Sequence, residues 1–403
     1  MRRSGLCLFI LLLTWSIMHG FIAYFPNDLD PEVIDAKGEA LGRTSIMSSS
    51  GANYLFNNPA MLGFLSQKNF QFNGRIKQGK REDQFTGSIE ETNKYNMPFH
   101  FKINGISYAM PFEICENQTL KTAVGIGYRN YYDFSIKEHY EDKNMGYESD
   151  WTYSGGYNTL VIGGGISYQD KISGGITMSV PFRSSLSAKY SNTNDEYSET
   201  ESKLGGNFYT FGGSWQANKM FKLGLRIRGE IKLSEKSENE DGEKNKDYII
   251  IPPEHGLALE IKPNEFITIY AEYLTRSLGD YGYISGYDNR YRYLYGLSDN
   301  GFSFRTGLEY GKELKLRGGL FVQSVPKYKV VDSAYEESPQ IEFGFTTGLG
   351  IKMGTGLTLN LYGNYSILSY EEDRNTQIGQ EVYTIEYSYS MLKFGFSLGG
   401  SFN

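Results

Sequence analysis

From Phe70 onward apolar and polar residues trade places at every second position, in runs of about ten residues or more. That is the period of a strand with one face in an apolar medium and the other in a polar one. Leu357, Leu359 and Leu361 face one way against Thr358, Asn360 and Asn364. Ile341, Phe343, Phe345, Leu349 and Ile351 oppose Glu342, Gly344, Thr346, Gly348 and Gly350. Leu223, Leu225, Ile227, Ile231 and Leu233 oppose Lys222, Arg226, Arg228, Glu230 and Lys232. The pattern predicts an all-β chain of about fourteen strands, an even number that returns both ends to one side of a membrane. They fall near 69–77, 99–112, 120–134, 157–168, 172–187, 204–217, 221–233, 248–261, 266–274, 302–310, 314–325, 341–353, 357–368 and 382–402.

The connections alternate as well. Tight turns at 168–172, 217–221, 261–265, 310–314 and 353–357 take turns with longer polar stretches at 78–97, 135–155, 188–203, 234–246, 275–301, 326–339 and 369–380. Short turns on one side and long loops on the other predict a transmembrane antiparallel β-barrel of the bacterial outer membrane, with the short side periplasmic. Six tyrosines from Tyr281 to Tyr295 alternate and predict a hairpin that continues its strands above the membrane.

Three places break the alternation. Phe99, Phe101 and Ile103 share one parity and Ile106, Tyr108, Met110 and Phe112 the other, so a bulge is expected at Asn104-Gly105. A similar slip falls near Met391-Leu392. Pro252-Pro253 removes two ladder donors, which marks a bulge, a local gap in the wall, or the loop-side end of a strand. Asn104, Gly105, Pro252 and Pro253 are therefore candidates for a wall opening.

The N-terminus starts with Met1-Arg2-Arg3 and an apolar run from Leu6 to Ile17, too short for a comfortable spanning helix. Residues 1–23 read as a signal peptide and the chain as exported. No other run approaches the ~20 apolar residues of a membrane helix. A chain that spans a membrane without helices must do so as a closed barrel.

Composition narrows the chemistry. The 403 residues include 47 Gly, 33 Tyr and 25 Phe, which suits curved sheets whose aromatic residues meet an interface. A net charge of -7 with no basic stripe argues against nucleic acid as partner. Cys7 lies in the signal peptide, which leaves Cys115 without a partner for an intramolecular disulfide. His19, His100, His139 and His255 lack the spacing of a metal site, and no Ser-His-Asp set stands out, so neither metal, cofactor nor enzyme activity is expected. The inward charges Arg226, Arg228, Glu230, Glu260, Arg305, Glu309 and Arg317 read as the lining of a hydrated lumen, with Glu272, Lys315 and Glu342 among them. The acidic stretch 239–243 reads as a solvated loop.

Residues 24–68 have no sustained alternation. A barrel of about fourteen strands has a lumen too wide for wall side chains alone to fill. The segment is therefore expected inside the barrel as a plug, with residues 69–403 as the wall.

Leu41-Gly42-Arg43, the small residues through Ser48 to Ala52, and Asn58-Pro59-Ala60 resemble the N-terminal plug region of FadL-type long-chain fatty acid transporters. With the signal peptide and the strand count, the resemblance runs over the whole chain. It implies a monomeric outer-membrane barrel for passive uptake of long-chain fatty acids or other hydrophobic small molecules. The plug would gate it through Leu41, Gly42, Arg43, Asn58, Pro59 and Ala60, and a side opening would release the ligand into outer-membrane lipid. Ser48 to Ser50 stand where the family commonly has an acidic pair, and the stretches 188–203 and 234–246 are short and polar. The same motif occurs in PorV-like docking barrels of a secretion system, and the charged lumen suits a general porin, so both remain alternatives. The end, MLKFGFSLGGSFN, resembles the signal read by the barrel assembly machinery.

Overall fold

The computed structural model describes residues 33–86, 91–113, 119–142, 147–193, 197–238, 244–277, 282–284, 291–293, 301–325, 340–354, 356–375 and 382–402. Its strand segments lie along fourteen passes. They are β1 (Lys68–Thr86), β2 (Glu91–Glu113), β3 (Leu120–Asp133 and Ile136–Asp142), β4 (Tyr147–Tyr168), β5 (Ile172–Pro181 and Ser185–Asn192), β6 (Tyr197–Gly205 and Phe208–Gln216) and β7 (Phe221–Arg228 and Ile231–Glu238). The circuit continues with β8 (Lys244–Ile251 and Glu254–Ile261), β9 (Ile267–Arg276 with Gly282–Ile284), β10 (Tyr291–Tyr293 with Gly301–Tyr310), β11 (Leu314–Val325), β12 (Gln340–Met353), β13 (Leu357–Asn375) and β14 (Val382–Phe402). Neighbours pair antiparallel. β1 closes on β14 through a ladder from Lys68↔Phe402 to Thr86↔Thr384. Closure leaves no strand at a free edge among the described residues, the condition under which a sheet can lie in lipid.

Below, the wall has the expected polarity. Ile162, Leu257, Leu316 and Phe345 are exposed on the outside, while Thr346, Asn360, Asn364 and Ser397 are buried on the inside. Higher up, the strands outrun the expectation. β1 alone has 19 residues, roughly 60 Å of strand at about 3.3 Å per residue, where a crossing needs about 9–11 residues. Most of the stretches 78–97, 135–155, 188–203, 234–246 and 369–380, expected as loops, are paired strand extensions. They read as loops because their outward residues are polar, as water above the membrane demands. The tyrosine hairpin is present where described: Gly282, Tyr283 and Ile284 pair with Tyr293, Arg292 and Tyr291. The segments 1–23 and 239–243 and Cys115 lie outside the described residues.

In β5, β6 and β7 the extensions reverse the polarity of the wall. Ile227 is 37% exposed on the outside, yet Ile231, of the same parity and expected on the same face, is 0% exposed, and Leu233 is 2%. Gly229-Glu230 interrupts the strand between them and re-aims everything above. Glu230 is exposed in that break and does not share the buried inward face of Arg226 and Arg228, contrary to its expected place in the lumen lining. Lys189, Lys203 and Lys232 now point outward, while Leu186, Ala188, Tyr190, Leu204, Ile231 and Leu233 are buried.

Similar interruptions occur at 134–135, 182–184, 206–207 and 252–253. Isolated bonds cross this level, such as Phe134 N–H to Gly155 C=O at 3.3 Å and Gly229 N–H to Tyr209 C=O at 2.8 Å. β4 has no such interruption; it bends at Gly155, whose φ of 107° is open to glycine alone without strain. The slip expected at Met391-Leu392 is absent, because the β1–β14 register runs through it unshifted. Met391 is an inward apolar residue buried in the upper half, and that is what disturbed the sequence pattern.

Candidate functional site

Residues 33–64 lie inside the barrel, almost wholly buried. Their first turn is a short helix, α1 (Ala36–Ala40), capped by Asp35 through a 2.9 Å bond from Lys37 N–H. The other Asp35 oxygen takes Ser50 N–H at 2.7 Å, folding the segment back on itself. Small residues are needed here, since a packed lumen has little room between backbone and wall.

The Leu41-Gly42-Arg43 turn is pressed against β10, β11 and β12. Gly42 and Arg43 both adopt left-handed backbone, with φ of 72° and 63°. A side chain on Gly42 would overlap the backbone of Thr306 and Leu320, and one on Gly319 opposite would overlap Gly42 itself. Gly42 N–H donates to Thr346 Oγ at 2.8 Å, and that hydroxyl donates to Ala40 C=O at 3.0 Å. Arg43 C=O accepts from Arg305 at 3.0 Å, and its guanidinium lies 5.0 Å from the centre of the Phe321 ring. Asn58-Pro59-Ala60 opens a 3-10 helix, Pro59–Phe64. Asn58 accepts from Ala60 N–H at 3.2 Å and donates to Gly213 C=O at 3.3 Å, while Pro59 fills the space left by Gly165 and Gly175.

The inward charges meet the plug more than they meet water. Glu272, 2% exposed, accepts from Ser45 N–H at 2.7 Å, Ile46 N–H at 2.8 Å and Ser45 Oγ at 3.1 Å, with Arg305 3.6 Å away. Backbone donors and a nearby guanidinium together offset the cost of burying that carboxylate. Arg226 donates to Ser45 Oγ at 2.8 Å and to Glu254 at 2.6 Å; Arg228 lies 3.4 Å from Glu254, which also pairs with Arg276. Arg129, Arg226, Arg228, Glu254, Val33 and Phe56 help line a small polar pocket beside the plug. Arg317 and Glu309 pair at 2.7 Å on the adjacent strands β11 and β10, and Glu260 pairs with Lys262 at 2.7 Å. Arg226, Arg228 and Arg305 are thus brought to the plug, Glu260 lies beside Tyr270, which accepts from Lys37 of the plug at 3.2 Å, and Glu230 is separate. Glu254, Arg129 and Asp133 were not singled out by sequence reasoning; the acid directly after Pro252-Pro253 and the acid within the YYDF run were the available signals.

The wall beside the plug has an unpaired stretch. β2 pairs with the lower part of β3 from Glu113↔Lys121 to Gly105↔Arg129, and with its upper part only from Asn96↔Lys137 to Glu91↔Asp142. Residues 97–104 of β2 are therefore out of that ladder. Asn104 is the extra residue of a bulge, skipped between Gly74↔Ile103 and Asn73↔Gly105. Its amide donates to Val33 C=O at 3.5 Å, and the Ile34 side chain occupies the place of a Gly105 side chain. On the outer surface of the same stretch, Phe99, Phe101 and Ile103 are 65, 55 and 40% exposed. At Pro252-Pro253 the interruption is smaller: Arg228↔Glu254 and Ile231↔Ile251 resume pairing on either side.

No family model and no curated protein matches the sequence. Solved structures match the fold. A Pseudomonas aeruginosa FadL homologue superposes with a TM-score of 0.63 at 11% identity, over 92% of this chain and 98% of its own. The P. putida toluene transporter TodX gives 0.59 at 14% identity over 93% and 100%, and the Ralstonia pickettii toluene transporter TbuX gives 0.51 at 12% over 93% and 100%. At these identities the likeness is one of fold: the chain is built as the FadL-type barrels are. A closed, even-stranded barrel of this fold with an apolar outer belt is a protein of the bacterial outer membrane.

Proposed function

We propose that the barrel carries a hydrophobic small molecule, a fatty acid or another apolar solute, from outside the cell past the N-terminal plug and sideways into outer-membrane lipid. The observation that carries this reading is the stretch 97–104 of β2, out of its ladder beside the start of the plug and flanked outside by Phe99, Phe101 and Ile103. Lateral exit is favoured physically, because an apolar solute released into water would lose about 0.8 kcal/mol per CH₂. The buried apolar inner face of the upper parts of β5 to β7 suits such a solute, and toluene transporters share the fold. The plug is the gate in this reading, held at Leu41-Gly42-Arg43 and Asn58-Pro59-Ala60. A general porin gains no support from the charged lining, much of which is engaged by the plug through Glu272, Arg305 and Arg226. Uptake of a radiolabelled fatty acid and of labelled toluene is measured in outer-membrane vesicles with and without the protein. Accelerated entry of either supports the reading, and identical rates for both solutes with and without the barrel refute it.

A further inference from the structure

The stretch of β2 that leaves the ladder is bridged on its inner side by side chains. Lys102 reaches across, its ammonium donating to Asp133 Oδ1 at 2.6 Å and to Gly155 C=O at 3.0 Å. His100, two residues earlier, sets Nε2 3.0 Å from Asp133 Oδ2. From β1, Lys77 stands 3.4 Å and Arg75 3.7 Å from the same oxygen, and Arg75 also donates to Asn130 at 3.0 Å. Asp133 is the last residue of the lower part of β3 and is buried.

The charges are sorted by side. The basic groups of this cluster, Arg75, Lys77, His100 and Lys102, belong to the β1–β2 pair, and the carboxylate that gathers them belongs to β3. A backbone ladder holds two strands by many bonds that no single side chain controls. Here, over residues 97–104, much of the hold passes through one acceptor, and charge-assisted bonds to one buried group are strong but few.

We infer that Asp133 controls release through this wall gap, tying β3 to the β1–β2 pair so that an apolar molecule leaves the lumen only when this bridge gives way. The paired ladders above and below stay zipped. The inference rests on the lateral-release reading given above.

The full-length protein is placed in lipid vesicles as wild type, Asp133→Asn, Lys102→Gln and, at an exposed turn paired with Lys312, Glu265→Gln. Two quantities are read: hydrogen exchange over 97–104 and 130–136, and the rate at which pyrene passes from the lumen into the bilayer. In Asp133→Asn, exchange over both stretches rises about tenfold while β11 to β13 exchange as before, and pyrene transfer rises with it. Lys102→Gln moves both in the same direction by less, and Glu265→Gln moves neither. Wild-type pyrene transfer matched by an equal rate in Asp133→Asn overturns the inference and leaves lateral uptake standing. Background transfer in every form overturns both. Exchange that rises equally around the whole barrel also overturns it, because Asp133 would then be a general stabiliser. Should Asp133→Asn fail to assemble, Lys102→Gln with wild-type exchange and transfer overturns it alone.

Discussion

Glu272→Gln tests how the plug is held. The carboxylate receives two backbone N–H groups and one hydroxyl from Ser45 and Ile46 and stands 3.6 Å from Arg305. Glutamine keeps the shape but offers one acceptor, and its amide group meets donors with donors. Bonds to a charged, buried acceptor contribute about 1.5–3 kcal/mol each and do not add simply. Losing one outright and weakening the others gives about 3 kcal/mol, or roughly a hundredfold more frequent local opening. Hydrogen exchange by mass spectrometry over 41–50 reads this directly, and single-channel recording reads the same opening as brief current steps absent from wild type. The barrel's heat resistance in detergent stays unchanged, since the β-ladders are untouched. Glu199→Gln, exposed on the outside and paired with Lys189, leaves plug exchange at the wild-type rate. If Glu272→Gln exchanges as slowly as wild type at Ser45 and Ile46 and passes no current, the plug is not held by this carboxylate and the reasoning fails.

Two further outcomes follow from the wall. In a Cys115→Ser background, Lys232→Cys on intact cells reacts with a membrane-impermeant maleimide and Ile231→Cys does not; the opposite result would restore the unbroken face through Ile227, Ile231 and Leu233. Gly319→Val drives a side chain into Gly42 and Leu41 and raises conductance, whereas Gly318→Val, whose nearest neighbour is Thr346 C=O at 3.9 Å, does not. Equal conductance in the two valine variants would show that the plug is not seated on that glycine.

Alternation made the barrel legible because each strand in lipid obeys one rule at every second residue, and Leu357 to Asn364 could hardly be read otherwise. The bulge at Asn104 was legible for the same reason: a parity change between Ile103 and Ile106 has few other causes. The plug region stood out by lacking any period. What stayed hidden needed partners. Ile231 continues the parity of Ile227, and nothing local says that the medium on the two faces is exchanged between them; that depends on where the lipid ends. Met391 gave a false slip on the same ground. Glu272 looked like any other inward carboxylate and Glu254 did not stand out at all, since their distinction is the plug donors and arginines that strand pairing brings to them. The unpaired stretch 97–104 is a statement about register between two strands, which one strand's sequence does not contain.

The seat of the plug has a consequence for the order in which the molecule is made. Ser45 is held by Glu272, Arg43 by Arg305, Gly42 by Thr346 and Glu39 by Asn364, contacts that span 227, 262, 304 and 325 residues of chain. Closing loops of that size is slow, and no nearer group offers the same set of partners. The part of the protein synthesised first therefore settles last, arriving at its pocket only once strands from the distal third have come together around it.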